Sequence, residues 1–173
     1  MGTRKIEKAT AIIIALFVTL LSFLHISDWA SVGIYANCPV SCRLSYPFFH
    51  ANALHAILNV WCFLVLVFTY DISYWRLILA YVIATTIPVD TLGTFLPMNN
   101  PTVGLSGVVY VLMGSISCEV MRKRYYQVWM CFYIAMGFLF PNTNAWIHLY
   151  CYLFGIIYAL LNCPIKKKNR GVV

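Results

Sequence analysis

Charged side chains are scarce in this chain. They make up 10% of its 173 residues, against 62% hydrophobic ones. A soluble domain carries charge on about a quarter of its residues, so an ordinary water-soluble fold is excluded. Acids are scarcer still: Glu7, Asp28, Asp71, Asp90 and Glu119 are all there are. They form no acidic set near a membrane midplane of the kind a small transporter needs. The HExxH motif is absent, and no ligands recur at regular spacing, so no metal or cofactor is implied. Connections long enough for a second domain are missing. So is a small-x-small cleavage site after the first apolar run, Ala11 to Leu24, which therefore reads as a retained anchor.

What the chain has is long apolar runs. Stretches of about 17–25 such residues read as transmembrane helices. Six are expected, over 9–27, 51–70, 74–92, 104–120, 126–141 and 144–163. The predicted fold is an all-α integral membrane protein, a single six-helix bundle over 1–173. The net charge of +7 raises the question of nucleic acid, and its distribution answers it. Arg4, Lys5, Lys8, Arg76, Arg122, Lys123, Arg124, Lys166, Lys167, Lys168 and Arg170 fall on one side of a six-span model; Arg43 falls on the other. That asymmetry places both termini in the cytoplasm. Membrane lipid is the expected partner, and nucleic acid is not.

Seven cysteines are present. Cys62, Cys118, Cys131, Cys151 and Cys163 lie in or at the ends of helices and read as apolar fillers. Cys38 and Cys42 share the first outer connection, where an oxidising compartment would permit a disulfide.

The polar residues inside the spans carry the chemistry. Gly104-Leu105-Ser106-Gly107 opens the fourth span. Glycines let a backbone approach closely, and a helix N-terminus leaves N–H groups free to face negative charge. In the six-span model Ser106, His148, His55 and Asn59 fall in the same outer leaflet. Ser106, Tyr110, Gly114 and Ser117 share one helix face, and His148, Cys151, Gly155 and Ala159 another. Small residues on both faces let those helices come close. Serine needs a base to act as a nucleophile. His148 is the candidate base, and no acid lies at its depth, so a Ser-His dyad is predicted rather than a triad. His55, the Asn59 amide and the Ser106 N–H are candidate donors to an oxyanion. Tyr110, one turn from Ser106, is the ring expected beneath His148. His50 is read as bracing the start of the second helix. The glycines Gly107, Gly114 and Gly155 are read as packing positions, and Pro88 and Pro97 as shaping the approach to Ser106.

These residues resemble the rhomboid intramembrane serine proteases. The resemblance runs from about Cys42 to Asn162. It rests on Gly104-Leu105-Ser106-Gly107-Val108-Val109-Tyr110-x-Leu112-Met113-Gly114, on His50-x4-His55-x3-Asn59 and on His148. Six spans with cytoplasmic termini look like the minimal bacterial form of the inner membrane. The resemblance implies a serine endopeptidase acting on single-span membrane proteins. It makes Ser106 the nucleophile, His148 the base, and His55, Asn59 and the amides of Leu105 and Ser106 the oxyanion hole. Gly104, Gly107, Tyr110 and Gly155 would support the site. Helix 5 and the cap from about Phe140 to Ala145 would form the gate. Three departures stand out. Cys42-Arg43 replaces the usual Trp-Arg, and a Cys38–Cys42 bridge is the candidate substitute anchor. Cys151 replaces a usual glycine, which predicts looser contact between helices 4 and 6 near the dyad. The cap is short.

Two other classes compete. A rhomboid-fold protein that binds membrane clients without cutting them would not react with fluorophosphonates. An acyltransferase would share the dyad. The oligomeric state is open.

Overall fold

The computed structural model describes residues 3–140 and 143–162, and among them the fold is helical with no strand. The basic tail from Lys166 to Arg170, Cys163 and the middle of the expected cap, Pro141 and Asn142, lie outside the described residues. The helices are α1 (Thr3–Leu21), α2 (Val40–Ser45), α3 (Ala53–Thr69), α4 (Tyr74–Thr85), α5 (Val89–Gly93), α6 (Ser106–Ser115), α7 (Lys123–Gly137) and α8 (Ala145–Asn162). A single 3-10 turn, Trp29–Ser31, precedes α2.

Several starts are set by polar caps that satisfy the free amides of a first turn. The Asn52 side chain accepts from the His55 N–H at 2.8 Å, and Ser73 Oγ from the Arg76 N–H at 3.2 Å. Asn144 Oδ1 accepts from the Ile147 N–H at 3.3 Å.

Two stretches, Tyr74–Gly93 and Ala145–Asn162, are long and apolar enough to cross a membrane; Ala53–Thr69 and Ser106–Ser115 are apolar but shorter. The helices leave large apolar side chains uncovered. Leu16 and Leu20 on α1, Leu54 and Trp61 on α3, and Leu160 and Leu161 on α8 are all exposed. A water-soluble monomer rarely exposes apolar area on that scale, whereas lipid covers it without cost.

The expected boundaries need correction. The first helix begins at Thr3 and ends at Leu21, earlier than the apolar run suggests, because its charged first turns are helical too. The third expected span is interrupted. Helix α4 ends at Thr85, and α5 starts after Pro88, which lacks the N–H a continuous helix would need there. The fourth is short, ten residues from Ser106 to Ser115. The fifth starts at Lys123 and stops at Gly137.

The connection between α1 and α3 is folded, not loose. Ile34 pairs with Thr102 in an antiparallel bridge, with N–H···O distances of 2.9 and 3.0 Å. The Ala36 N–H reaches the Met98 carbonyl at 2.8 Å, and the Gly104 N–H reaches Tyr46 at 3.0 Å. The connection thus holds the segment that leads into α6. Arg43 makes an ion pair with Asp90 at 2.6 Å, and Asp90 also accepts from the Asn37 N–H at 2.7 Å. Asp90 raises the Arg43 guanidinium above its usual value, chiefly through that hydrogen bonding. This pair ties the connection to α5. The expected Cys38–Cys42 bridge is not there: both are free thiols. Cys42 Sγ turns to the Ala30 and Ser31 carbonyls at 3.4 and 3.3 Å, which directs it away from a partner thiol.

At the centre lies α6, packed most extensively on α8 and then on α4. Where α6 crosses α8, a Cβ on Gly155 would run into the Val111 carbonyl oxygen, and one on Gly114 into that of Tyr152. Looser contact beside Cys151 is not what the structure has. Cys151 is fully buried, and its Sγ lies 3.5 Å from where a Cβ on Gly107 would sit, an ordinary packing distance; the group that Gly107 makes room for is the Tyr46 hydroxyl, 2.7 Å from that point.

Candidate active site

Ser106 is the first residue of α6. Its N–H precedes the first backbone bond of that helix, Val109 to Leu105 at 3.1 Å, so no intrahelical acceptor takes it. His148 is the fourth residue of α8. The close packing of α6 on α8 brings the two together across 42 residues of sequence: His148 Nε2 and Ser106 Oγ are 2.8 Å apart. The imidazole stacks on the Tyr110 ring, with centroids 4.3 Å apart and planes 15° apart. Offset ring contacts of this kind fix orientation as well as adding contact energy.

Gly104 delivers the serine. Its φ is +133°, a backbone conformation that is strained for residues with a Cβ. A side chain there would also meet the His55 ring, with Cε1 at 3.0 Å and Nε2 at 3.1 Å, and would lie 3.7 Å from Ser106 Oγ. The bare backbone of Gly104 is what lets the His55 ring approach the serine segment. Asn59 is buried one turn further along α3, and its Nδ2 donates to the His55 carbonyl at 2.9 Å.

Ser106, His148, Tyr110, Gly104 and His55 therefore converge at one end of α6, with Asn59 next on α3. Gly107 packs beside the pair, against Cys151 and Tyr46. Gly155 lies two turns from His148 and acts through the helix crossing. The Leu105 amide is a correction. Its N–H donates to His50 Nε2 at 3.1 Å, so the donor expected at an oxyanion is already engaged in the protein.

Three residues matter more than the sequence suggested. His50, 3% exposed, does not only brace its own helix; it pins the turn that carries Ser106. Tyr46, equally buried, donates its hydroxyl to the Ala84 carbonyl at 2.9 Å and joins the outer connection to α4 beside Gly107. Asn144 caps α8 and donates from Nδ2 to Thr102 Oγ1 at 3.3 Å, linking the helix of His148 to the bridge before Ser106. The His-x4-His spacing was the one signal for His50. Nothing in sequence separates Tyr46 from the eleven other tyrosines.

No group of three or more His, Cys, Asp or Glu side chains suited to a metal ion occurs among the described residues. A hydroxyl, an imidazole at hydrogen-bond distance and a ring beneath it are the components of serine-type acyl chemistry. The class is a helical integral membrane protein with a serine–histidine pair set among its packed helices. Residues 40–165 match the family model of the rhomboid domain, and with well over half its length covered the chain belongs to the rhomboid family. Rhomboid proteins are generally intramembrane proteases. No curated protein matches the sequence.

Proposed function

We propose that this chain is an intramembrane serine endopeptidase with Ser106 as nucleophile and His148 as base. The observation that carries the reading is the 2.8 Å contact between His148 Nε2 and Ser106 Oγ, with the imidazole held on Tyr110. With Nε2 unprotonated, the hydroxyl donates to it. Oγ attacks the peptide carbonyl carbon as its proton passes to Nε2, and that proton then leaves with the amine. Water, deprotonated in turn by His148, hydrolyses the acyl-enzyme. The Ser106 N–H, His55 and the free N–H of the Asn59 amide are the donors nearest the developing oxyanion. Leu105 is left out, because His50 holds its amide.

The six-span arrangement, both termini in the cytoplasm and a bacterial inner membrane form part of this proposal, supported by the one-sided basic residues. Substrates are then single-span membrane proteins, cut near the outer leaflet. Their helix must unwind before a carbonyl reaches Ser106, so helix-weakening residues are expected there.

The test is fluorophosphonate labelling together with cleavage of a single-span substrate, with Ser106→Ala and His148→Ala beside the parent. Labelling of the parent alone, with cleavage lost in both variants, supports the protease. An unlabelled, folded parent would instead favour a protein that binds membrane clients without cutting them.

A further inference from the structure

Far from Ser106, beyond the other end of α6, a cleft of about 360 Å³ opens between the end of α3 and the start of α7. Tyr70, Val120, Met121, Arg122, Tyr126 and Trp129 line it. Pockets of about 300–1,000 Å³ accept small organic ligands. One lining residue of this cleft is anchored. The Tyr126 hydroxyl donates to the Met113 carbonyl at 2.8 Å, which fixes the ring to α6. Its mouth is apolar and uncovered: Met121 is 98% exposed, and Tyr125 and Trp129 are exposed beside it.

The charge at its edge is mostly positive. Arg122, Lys123 and Arg124 are consecutive. Glu119, the nearest carboxylate in sequence, is already bound to Arg76, whose guanidinium also lies over the Tyr158 ring at 5.3 Å. Asp71 follows the cleft residue Tyr70 in sequence, so cations outnumber acids around the cleft without excluding them. A cleft with tyrosine and tryptophan walls, apolar outward and cationic at one rim, has the chemistry of the membrane–water boundary. Basic pockets between helices at that boundary take anionic lipid headgroups.

We propose that this cleft binds one anionic phospholipid, its phosphate at Arg122 and its acyl chain along Met121 and Trp129. The inference rests on the membrane placement of the chain and not on the reactivity of Ser106. Binding and cleavage can therefore fail separately.

The experiment uses the purified full chain, offered equal amounts of phosphatidylglycerol and phosphatidylcholine with the same acyl chains. Retained lipid is counted by native mass spectrometry. The expected result is one phosphatidylglycerol retained in about fivefold preference, the advantage one basic side chain gives at a lipid surface. Arg122→Gln brings the preference to parity, and Arg122→Lys restores it. Lys123→Gln and Arg124→Gln leave it in place. Trp129→Ala lowers retention of both lipids. Equal retention by the parent would overturn the proposal. So would an equal loss in all three glutamine variants, which means diffuse surface attraction, or retention unaffected by Trp129→Ala.

Discussion

The Cα of Gly155 lies 2.8 Å from the point a Cβ on Gly114 would occupy, so α6 and α8 meet backbone to backbone. That contact sets the distance between the helices that carry Ser106 and His148. Gly155→Ala would thrust a methyl at the Val111 carbonyl, and Gly114→Ala one at the Tyr152 carbonyl. Overpacking costs about 1–3 kcal/mol and occasionally more. Each variant should unfold at lower temperature than the parent in the same detergent. An unchanged midpoint would mean that the crossing relaxes freely.

Tyr110 stacks on His148, and among the described residues its hydroxyl has no hydrogen-bond partner, so its ring and not its oxygen should matter. Tyr110→Phe should keep the fluorophosphonate labelling rate of Ser106. Tyr110→Leu should lower it about two- to tenfold, the kinetic equivalent of losing a ring contact worth about 0.5–1.5 kcal/mol. Equal rates in both variants would separate Tyr110 from the orientation of His148.

His50 supplies the acceptor for the buried Leu105 N–H. His50→Leu leaves that amide without a partner, at a cost of about 1–3 kcal/mol. Thermal unfolding should fall accordingly. Labelling of Ser106 should fall with it even below the melting range, because the turn that presents the serine loses its pin. Loss of stability with labelling intact would confine His50 to a structural role.

Cys38 and Cys42 are free thiols. Protein purified without reductant, unfolded and alkylated, should take up the same number of labels on these two residues with or without prior reduction, as read by peptide mass. Labels gained only after reduction would show a bond that the geometry of Cys42, facing the Ala30 and Ser31 carbonyls, does not provide.

Much of the site was legible because its residues are costly where they lie. Ser106, His148, His55 and Asn59 are polar groups in apolar helices, and the six-span reading set them at matched depth while the helical period gave the face each shares with its neighbours. Tyr110 followed from the same period. The connection between α1 and α3 was illegible for the opposite reason. Its order comes from backbone bonds between Ile34 and Thr102 and between Ala36 and Met98, which any side chains permit. The Arg43–Asp90 pair joins residues 47 apart with no local pattern to announce it. The engagement of Leu105 by His50 depends on where two turns meet, and that is a property of packing. Helix ends failed where length was judged by hydropathy alone: the charged start of α1 is helical, and Pro88 breaks a run that is mostly apolar.

The 42-residue separation of Ser106 and His148 also has a meaning in time. The serine is synthesised first, on α6, and its histidine arrives only when α8 docks against Gly114. A growing chain that has placed α6 but not yet α8 carries a hydroxyl with no partner to take its proton. Under the protease reading, the enzyme is inert until α8 has packed on α6 and gains its reactivity with that contact.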